Sequence, residues 1–193
     1  MGIARFLPLA IAPGQSSVDE TASQPESALV RSAAGGNRAA VESLYLRYAR
    51  MVHGILLTRV RPSDAEDLVH DVFITAMRKL SALRSPEAFS GWLAAIARNR
   101  AVEHYRQLRL KQDAERNAAL TDVLQPESKA LEVLEIIRQL PEAYRETLIL
   151  RLVEGMTGPE IADKTGLKPD SVRVNLFRGM KLLRERLTRR EVL

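Results

Sequence analysis

The chain has 193 residues, of which 46% are hydrophobic, and it carries a formal net charge of +5. A chain of this size and composition can bury one medium core or two small ones, which excludes a protein that is disordered throughout. It contains no cysteine, so disulfides, thiol catalysis and thiolate metal sites are excluded. The excess of basic residues favours an anionic partner.

Residues 1–25 are predicted to form a flexible leader, because Gly, Gln, Ser and Pro recur between residues 13 and 27. The apolar run at residues 6–13 is too short to cross a bilayer and contains two prolines, which excludes a membrane helix there. Arg5 followed by this run leaves a weak signal peptide as the alternative.

Helical spacing of apolar residues recurs through the rest of the chain and alternating strand patterns are almost absent, so the sequence predicts an all-α protein. Gly35 and Gly36 are expected to break a short first helix from a long second one, which Asn37 caps. Ser63 is expected to cap the third helix, with Glu66 at the capping-box position. The predicted helices of this half cover residues 27–34, 37–60, 63–80 and 86–110.

Two chemically different surfaces are expected on this first domain, which spans residues 26–110. The third helix has an acidic start, which suits either a solvated helix end or a partner contact. The fourth helix carries five bases against one acid between residues 98 and 111, with Trp92, His104 and Tyr105 among or near them. Such a helix suits a phosphate backbone and unstacked bases, although an ordinary solvated helix can look the same.

Residues 111–127 lose amphipathic order, which predicts a flexible linker between two small helical domains. The second domain spans residues 128–193. It is predicted to have one helix over 128–140 and another that starts at Pro141 and ends at Glu154–Gly155. Positive charge is concentrated at its end, where residues 168–193 include eight Lys or Arg against three acids.

A helix-turn-helix is predicted in this basic region. Ile161, Ala162 and Thr165 would face a small core, Gly166 would allow the sharp corner, and Pro169 would open the second helix. An outward face with hydrogen-bond donors is what a DNA-reading helix needs. The second helix would bury Val172, Leu176 and Met180 and present Arg173, Phe177, Arg178 and Lys181.

Three segments resemble regions of one known family. The run DAEDLVHDVF at residues 64–73 is similar to region 2.2 of the extracytoplasmic-function (ECF) group of sigma-70 sigma factors, which direct bacterial RNA polymerase to promoters. The run FSGWLAAIARN at residues 89–99 resembles the segment that opens and reads the minus-ten element, and residues 140–187 resemble region 4, which reads the minus-thirty-five element. Their order, spacing and separation by a linker make the combined resemblance specific.

The resemblance implies roles for particular side chains, although Trp92 can equally be a core anchor and Phe177 a packing residue. Polymerase would be bound by Asp64, Glu66, Asp67, Leu68, Asp71 and Phe73. The minus-ten element, with a flipped-out base of the non-template strand, would be bound by Arg84, Phe89, Trp92, Arg98, Asn99 and Arg100. The minus-thirty-five element would be bound by Lys168, Ser171, Arg173, Val174, Asn175, Phe177, Arg178 and Lys181.

The resemblance also implies a cytoplasmic initiation factor that is not an enzyme and needs no cofactor or metal. Its partners would be core RNA polymerase, through the clamp helices and the flap of the β subunits, and promoter DNA as duplex and as non-template single strand. An anti-sigma factor would hold it inactive, since one inhibitor can clamp two linked domains.

Two other classes stay open on the residues alone. A dimeric helix-turn-helix repressor or activator would bind a two-fold operator, but no long apolar dimer stripe is left after the core is assigned. A helical enzyme would need a convergent set of titratable groups, and none is found. The three histidines, His53, His70 and His104, share no metal-ligand spacing.

Overall fold

The computed structural model of the protein describes residues 24–116 and 129–191. Within these ranges there are eight α-helices and no strand, so the all-α prediction is confirmed. No helix in them is long and apolar enough to cross a membrane. Most of the predicted leader, and residues 117–127 of the predicted linker, lie outside the described residues.

The helices are α1 (Glu26–Ala34), α2 (Arg38–Leu57), α3 (Pro62–Lys79), α4 (Phe89–Arg116), α5 (Lys129–Arg138), α6 (Glu142–Leu152), α7 (Gly158–Thr165) and α8 (Pro169–Glu191).

The predicted start of α2 is confirmed. Gly36 takes a positive φ of 88° that ends the preceding turn. Asn37 then caps the helix, because its Oδ1 accepts hydrogen bonds from the backbone N–H groups of Ala39 at 3.0 Å and Ala40 at 3.3 Å.

Several helix ends differ from the sequence prediction, and two of them have a clear local cause. Helix α3 begins at Pro62 rather than after a Ser63 cap, because proline supplies the φ of a first helical residue and has no N–H that needs a cap. Ser63 donates its hydroxyl hydrogen bond to Asp64 instead, at 2.9 Å. Helix α4 follows a short 3₁₀ turn and continues past the predicted end at Leu110 to Arg116, since no proline or glycine interrupts it.

Helix α2 lies at the centre of the first domain, where its aromatic and aliphatic residues pack against α1, α3 and α4. Tyr48 and Phe89 meet edge to face in this core, with ring centroids 5.5 Å apart. The Tyr48 hydroxyl donates a hydrogen bond to Glu26. Burial, and then this acidic neighbour, raise the pKa of Tyr48, so the phenol stays neutral at all physiological pH values.

The predicted helix-turn-helix is formed by α7 and α8. A capping box starts α7: Thr157 accepts from the backbone N–H of Glu160, whose carboxylate accepts at 2.7 Å from the backbone N–H of Thr157. Gly166 ends the helix in the left-handed region, with φ 72°, and makes the corner before Pro169. A small apolar cluster that includes Ile161 and Val172 holds the two helices together.

The two domains also pack against each other. Residues of α5 and α6 belong to the same apolar cluster as the core of the first domain, so the core is continuous across both. The sequence predicted two small helical domains joined by a flexible linker and left open whether they bury one core or two. A single core forms because α6 is buried on the side that faces α2 as well as within its own domain.

Replacing Phe89 with alanine is expected to destabilise the protein by about 3–5 kcal/mol, because a fully buried ring would leave a cavity. Phe177→Ala is the matched control: that ring is 75% exposed, and its loss should change stability by less than about 0.5 kcal/mol. Urea unfolding followed by circular dichroism measures both. Equal losses would show that Phe89 is not a core residue.

Replacing Thr157 with alanine removes the capping box and is expected to lower the free energy of unfolding by about 1 kcal/mol. Thr188→Ala, at an exposed position inside α8, should stay within about 0.5 kcal/mol of the wild type. The same unfolding experiment compares the two threonines. A Thr157 variant as stable as the Thr188 variant would argue against the cap.

Candidate nucleic-acid interface

Helix α8 turns one face to the protein and one to solvent. Val172 is buried, and Gly179 lets the helix approach α6 so closely that an added Cβ would lie 3.0 Å from Leu148 Cδ1. The outward face contains the residues predicted to bind DNA. Asn175 is half-buried, and the exposed ones are Lys168, just before the helix, and Ser171, Arg173, Val174, Phe177, Arg178 and Lys181.

This outward face combines positive charge with apolar surface. Phe177 projects into solvent and, with the half-buried Leu176 and Met180, forms an apolar strip bordered by Lys181 and Arg184. The sequence left open whether Phe177 packs internally, and the structure places it outside. An exposed aromatic between basic residues suits a surface that contacts base edges and phosphates together.

The predicted minus-ten residues do not share one environment. Phe89 is fully buried, so its side chain is not on the surface where the prediction placed it. Trp92 is half-buried and lies against Phe89, with ring centroids 6.0 Å apart, which makes it in part the core anchor that the sequence left as an alternative. Arg84 and Asn99 are exposed.

Both remaining minus-ten arginines are engaged by carboxylates of the same chain. Arg98 donates from Nε and Nη2 to the two carboxylate oxygens of Glu146, each at 2.8 Å. These bonds raise the pKa of the Arg98 guanidinium despite its partial burial. Arg100 donates to Asp71 at 2.7 Å, which joins α4 to α3.

The predicted polymerase-binding residues divide into exposed acids and buried apolar side chains. Glu66, Asp67 and Asp71 are exposed on α3. Leu68 and Phe73 lie instead in the core, each 5% exposed, because they occupy the face of α3 that packs inward. They anchor α3 in the core and are not part of its exposed acidic face.

Asp64, the fourth acid, is held within the domain. Burial alone would raise the pKa of its carboxyl, but hydrogen bonds from Ser63 and Arg61 lower it overall. His104 Nε2 lies 3.5 Å from the same carboxylate. Asp64 is therefore fixed as an anion at the start of α3.

Sequence reasoning missed the residues that join the two domains. Among them Arg138 donates hydrogen bonds to the carbonyls of Leu57 and Val60, and the carboxylate of Glu146 accepts hydrogen bonds from Arg98. Only Gly54 offered a signal, since a glycine inside an apolar helix commonly marks a close approach. Charged residues such as Glu146 looked like any solvated helix face in the sequence.

The described parts of the chain offer no group of three or more His, Asp or Glu side chains that could hold a metal ion. The outward face of α8 includes the ion pair of Arg173 with Asp170, at 3.2 Å. The chemistry that this arrangement supports is binding of an anionic polymer.

Comparisons with known proteins identify the family. Residues 44–110 match the model of "Sigma-70 region 2", and residues 130–183 match that of "Sigma-70, region 4". The two matches correspond to the two domains of the structure. The first covers most of α2, all of α3 and α4 through Leu110, and the second covers nearly all of α5, then α6, α7 and α8 through Leu183.

Several characterised relatives align along most of the chain. An ECF RNA polymerase sigma-E factor of Haemophilus influenzae is 30% identical over 84% of this chain and 95% of its own length. The RNA polymerase sigma factor CarQ of Myxococcus xanthus is 32% identical over 79% of this chain and 91% of its own. The solved structure of CnrH, in complex with the cytosolic domain of CnrY, has the same fold, with a TM-score of 0.58 and 24% identity over 84% of this chain and 97% of CnrH. The chain belongs to the ECF group of sigma-70 family RNA polymerase sigma factors.

Proposed function

We propose that this sigma factor binds core RNA polymerase through its first domain and directs it to promoters with two separate elements. It opens and reads the minus-ten element with the first domain and reads the minus-thirty-five element with the second. It performs no catalysis of its own. The observation that carries the proposal is the outward face of α8, where exposed basic residues flank an exposed Phe177 on a capped helix-turn-helix.

In the second domain, α8 would enter the major groove of the minus-thirty-five element. Lys168 and Ser171, which are exposed at the start of the helix, would meet the phosphate backbone, where the helix N-terminus itself favours anions. Arg173 pairs with Asp170 at 3.2 Å, and because the two side chains are 80% and 87% exposed, the pair costs little to break. Arg173 can then donate to guanine, Arg178 can contact a backbone phosphate, and Phe177 can contact a thymine methyl group.

In the first domain, the minus-ten surface would use Arg84 and Asn99, which are exposed, beside the half-buried Trp92. A flipped-out base of the non-template strand needs hydrogen-bonding groups and an apolar wall, and these three residues supply both. Phe89 supports Trp92 from the core. Arg98 and Arg100 would hold phosphates after exchanging their carboxylate partners for DNA.

The exposed acids Glu66 and Asp67 would bind the clamp helices of core polymerase, with Asp71 beside them. We also propose that an anti-sigma factor holds the protein inactive in the cytoplasm. The proposal is supported by the compact arrangement of two small domains, which a single inhibitor could hold together.

Multi-round transcription from a genomic fragment library, with purified bacterial core polymerase, tests this function. New start sites that appear only with the protein, and that share two motifs roughly one and a half helical turns apart, are expected. No new starts, together with binding of the protein alone to a palindromic site, would favour the dimeric regulator instead.

Two substitutions should separate the two binding activities. Arg178→Ala is expected to weaken promoter binding and to reduce the slope of log affinity against log salt by about one, because one phosphate contact is lost. Asp67→Ala is expected to weaken association with core polymerase. Fluorescence anisotropy with labelled duplex and with labelled core polymerase measures the two affinities.

Each variant serves as the control for the other. Arg178→Ala should leave the affinity for core polymerase nearly unchanged, and Asp67→Ala should leave duplex binding nearly unchanged. Wild-type affinities for both variants in both assays would contradict the assignments.

A further inference from the structure

The loop between α3 and α4 carries Arg84, one of the exposed residues that the proposed function assigns to the minus-ten element. Two short 3₁₀ turns, Leu80–Ala82 and Pro86–Ala88, lie on either side of Arg84. A 3₁₀ turn has poorer hydrogen-bond geometry than an α-helix, so it contributes little rigidity of its own. The position of Arg84 therefore depends on what holds the two turns.

The loop is anchored in the core of the first domain at both ends. Leu80, which starts the first turn, is buried, and Leu83 packs half-buried against the same core. Phe89, which follows the second turn, is fully buried. Residues 84–88 span the gap between these anchors, so they need a separate support if Arg84 is to have a fixed position.

Helix α1 supplies such a support. It packs against both 3₁₀ turns as well as against α2. Its residues Leu29 and Val30 are buried and belong to the same apolar core as the two anchors of the loop. Helix α1 lies before residues 44–110, the segment that matches the sigma-70 region 2 model. The loop is therefore supported by a helix outside the matched segment.

An ion pair joins α1 to the second turn of the loop. Arg31 Nη1 lies 3.7 Å from Oε1 of Glu87. Ser85 donates from Oγ to the other carboxylate oxygen of Glu87, at 2.8 Å. Arg31 is itself held along α1, because its Nη2 donates to the hydroxyl of Ser27 at 3.1 Å. The carboxylate of Glu87 thus connects α1 to the residue that directly follows Arg84.

This ion pair acts locally. A hydrogen bond from its own backbone N–H, then the bond from Ser85 and the charge of Arg31, lower the pKa of Glu87, so the carboxylate is anionic at neutral pH. The two side chains of the pair are 62% and 63% exposed, so the pair adds little to the stability of the domain. A weak contact can still decide between loop conformations of similar energy.

We propose that Arg31 and Glu87 are positioning residues that set the base preference at the minus-ten element by fixing the loop that carries Arg84. This inference rests on the proposed function, in which Arg84 lies on the minus-ten surface. Selective hydrogen bonds to a base edge need donors held within about 0.5 Å of the right place. Loss of the ion pair lets Arg84 reach more positions and so broadens the set of bases that the loop accepts.

Charge reversal tests this proposal in multi-round transcription with core polymerase and the genomic fragment library. Arg31→Glu and Glu87→Arg should each lower the preference for the favoured minus-ten bases about two- to fivefold, because like charges then face each other between α1 and the loop. The minus-thirty-five motif should not change, since α8 is in the other domain. The double variant, in which the pair forms again with reversed polarity, should recover most of the wild-type preference.

Arg38→Glu is the matched control, because it makes the same charge change at an exposed position at the start of α2. It should keep the wild-type preference at both motifs. Wild-type minus-ten preference in both single variants, or a double variant no better than the single ones, would overturn the proposal. If the wild-type protein itself starts no transcription, the proposed function has failed.

Hydrogen exchange tests the positioning of the loop without DNA or polymerase. The amides of Leu83 and Ala88 donate backbone hydrogen bonds within the two turns, at 3.1 Å and 3.0 Å. They should exchange about two- to fivefold faster in Arg31→Ala than in the wild type, whereas Arg38→Ala should leave their rates unchanged. Equal rates in Arg31→Ala and the wild type would overturn the proposal, whether or not the protein starts transcription.

Discussion

Helix α2 must be buried on several sides at once, and the rest of the structure depends on this constraint. It packs against α1, α3 and α4 within its own domain and against α6 and α7 of the second. A helix enclosed in this way needs apolar residues over most of its circumference and a small residue wherever another helix comes closest. Leu44, Met51 and Ile55 meet the first need, and Gly54 meets the second.

The helices were predictable from the sequence, and several of their ends were too. Asn37 and Gly166 work locally, through a side-chain cap and a left-handed turn, so neighbouring residues are enough to recognise them. Ser63 was misleading because Pro62 starts the helix one residue earlier. The exposed residues of α8 were also predictable, because the helical spacing of the apolar residues and the positions of the basic residues indicate the same outward face.

The contact between domains was not predictable. Glu146 and Arg138 lie on helices that look amphipathic and solvated in the sequence, and their partners are tens of residues away. Phe73 and Phe89 belong to runs that resemble functional segments of the family, but the packing of α3 and α4 decides that they face inward. A motif marks which segment matters and does not distinguish a surface side chain from the core residue that supports it.

Two arginines of α4 form ion pairs with carboxylates of different domains. Arg100 binds Asp71 within the first domain, and Arg98 binds Glu146 across the interface. The first pair lies within one domain, whereas the second requires the two domains to lie against each other. Two arginines that are two residues apart therefore depend differently on the position of the second domain.

The contacts that join the domains connect residues far apart in the chain, such as His53 with Glu154 and Arg47 with Lys164. Helices form within microseconds and their local contacts soon after, whereas docking of whole domains is slower. During synthesis the first domain is made before α6 and α7, so its helices can begin to pack before the second domain is complete. The interface therefore cannot close until the chain has been synthesised through α6 and α7.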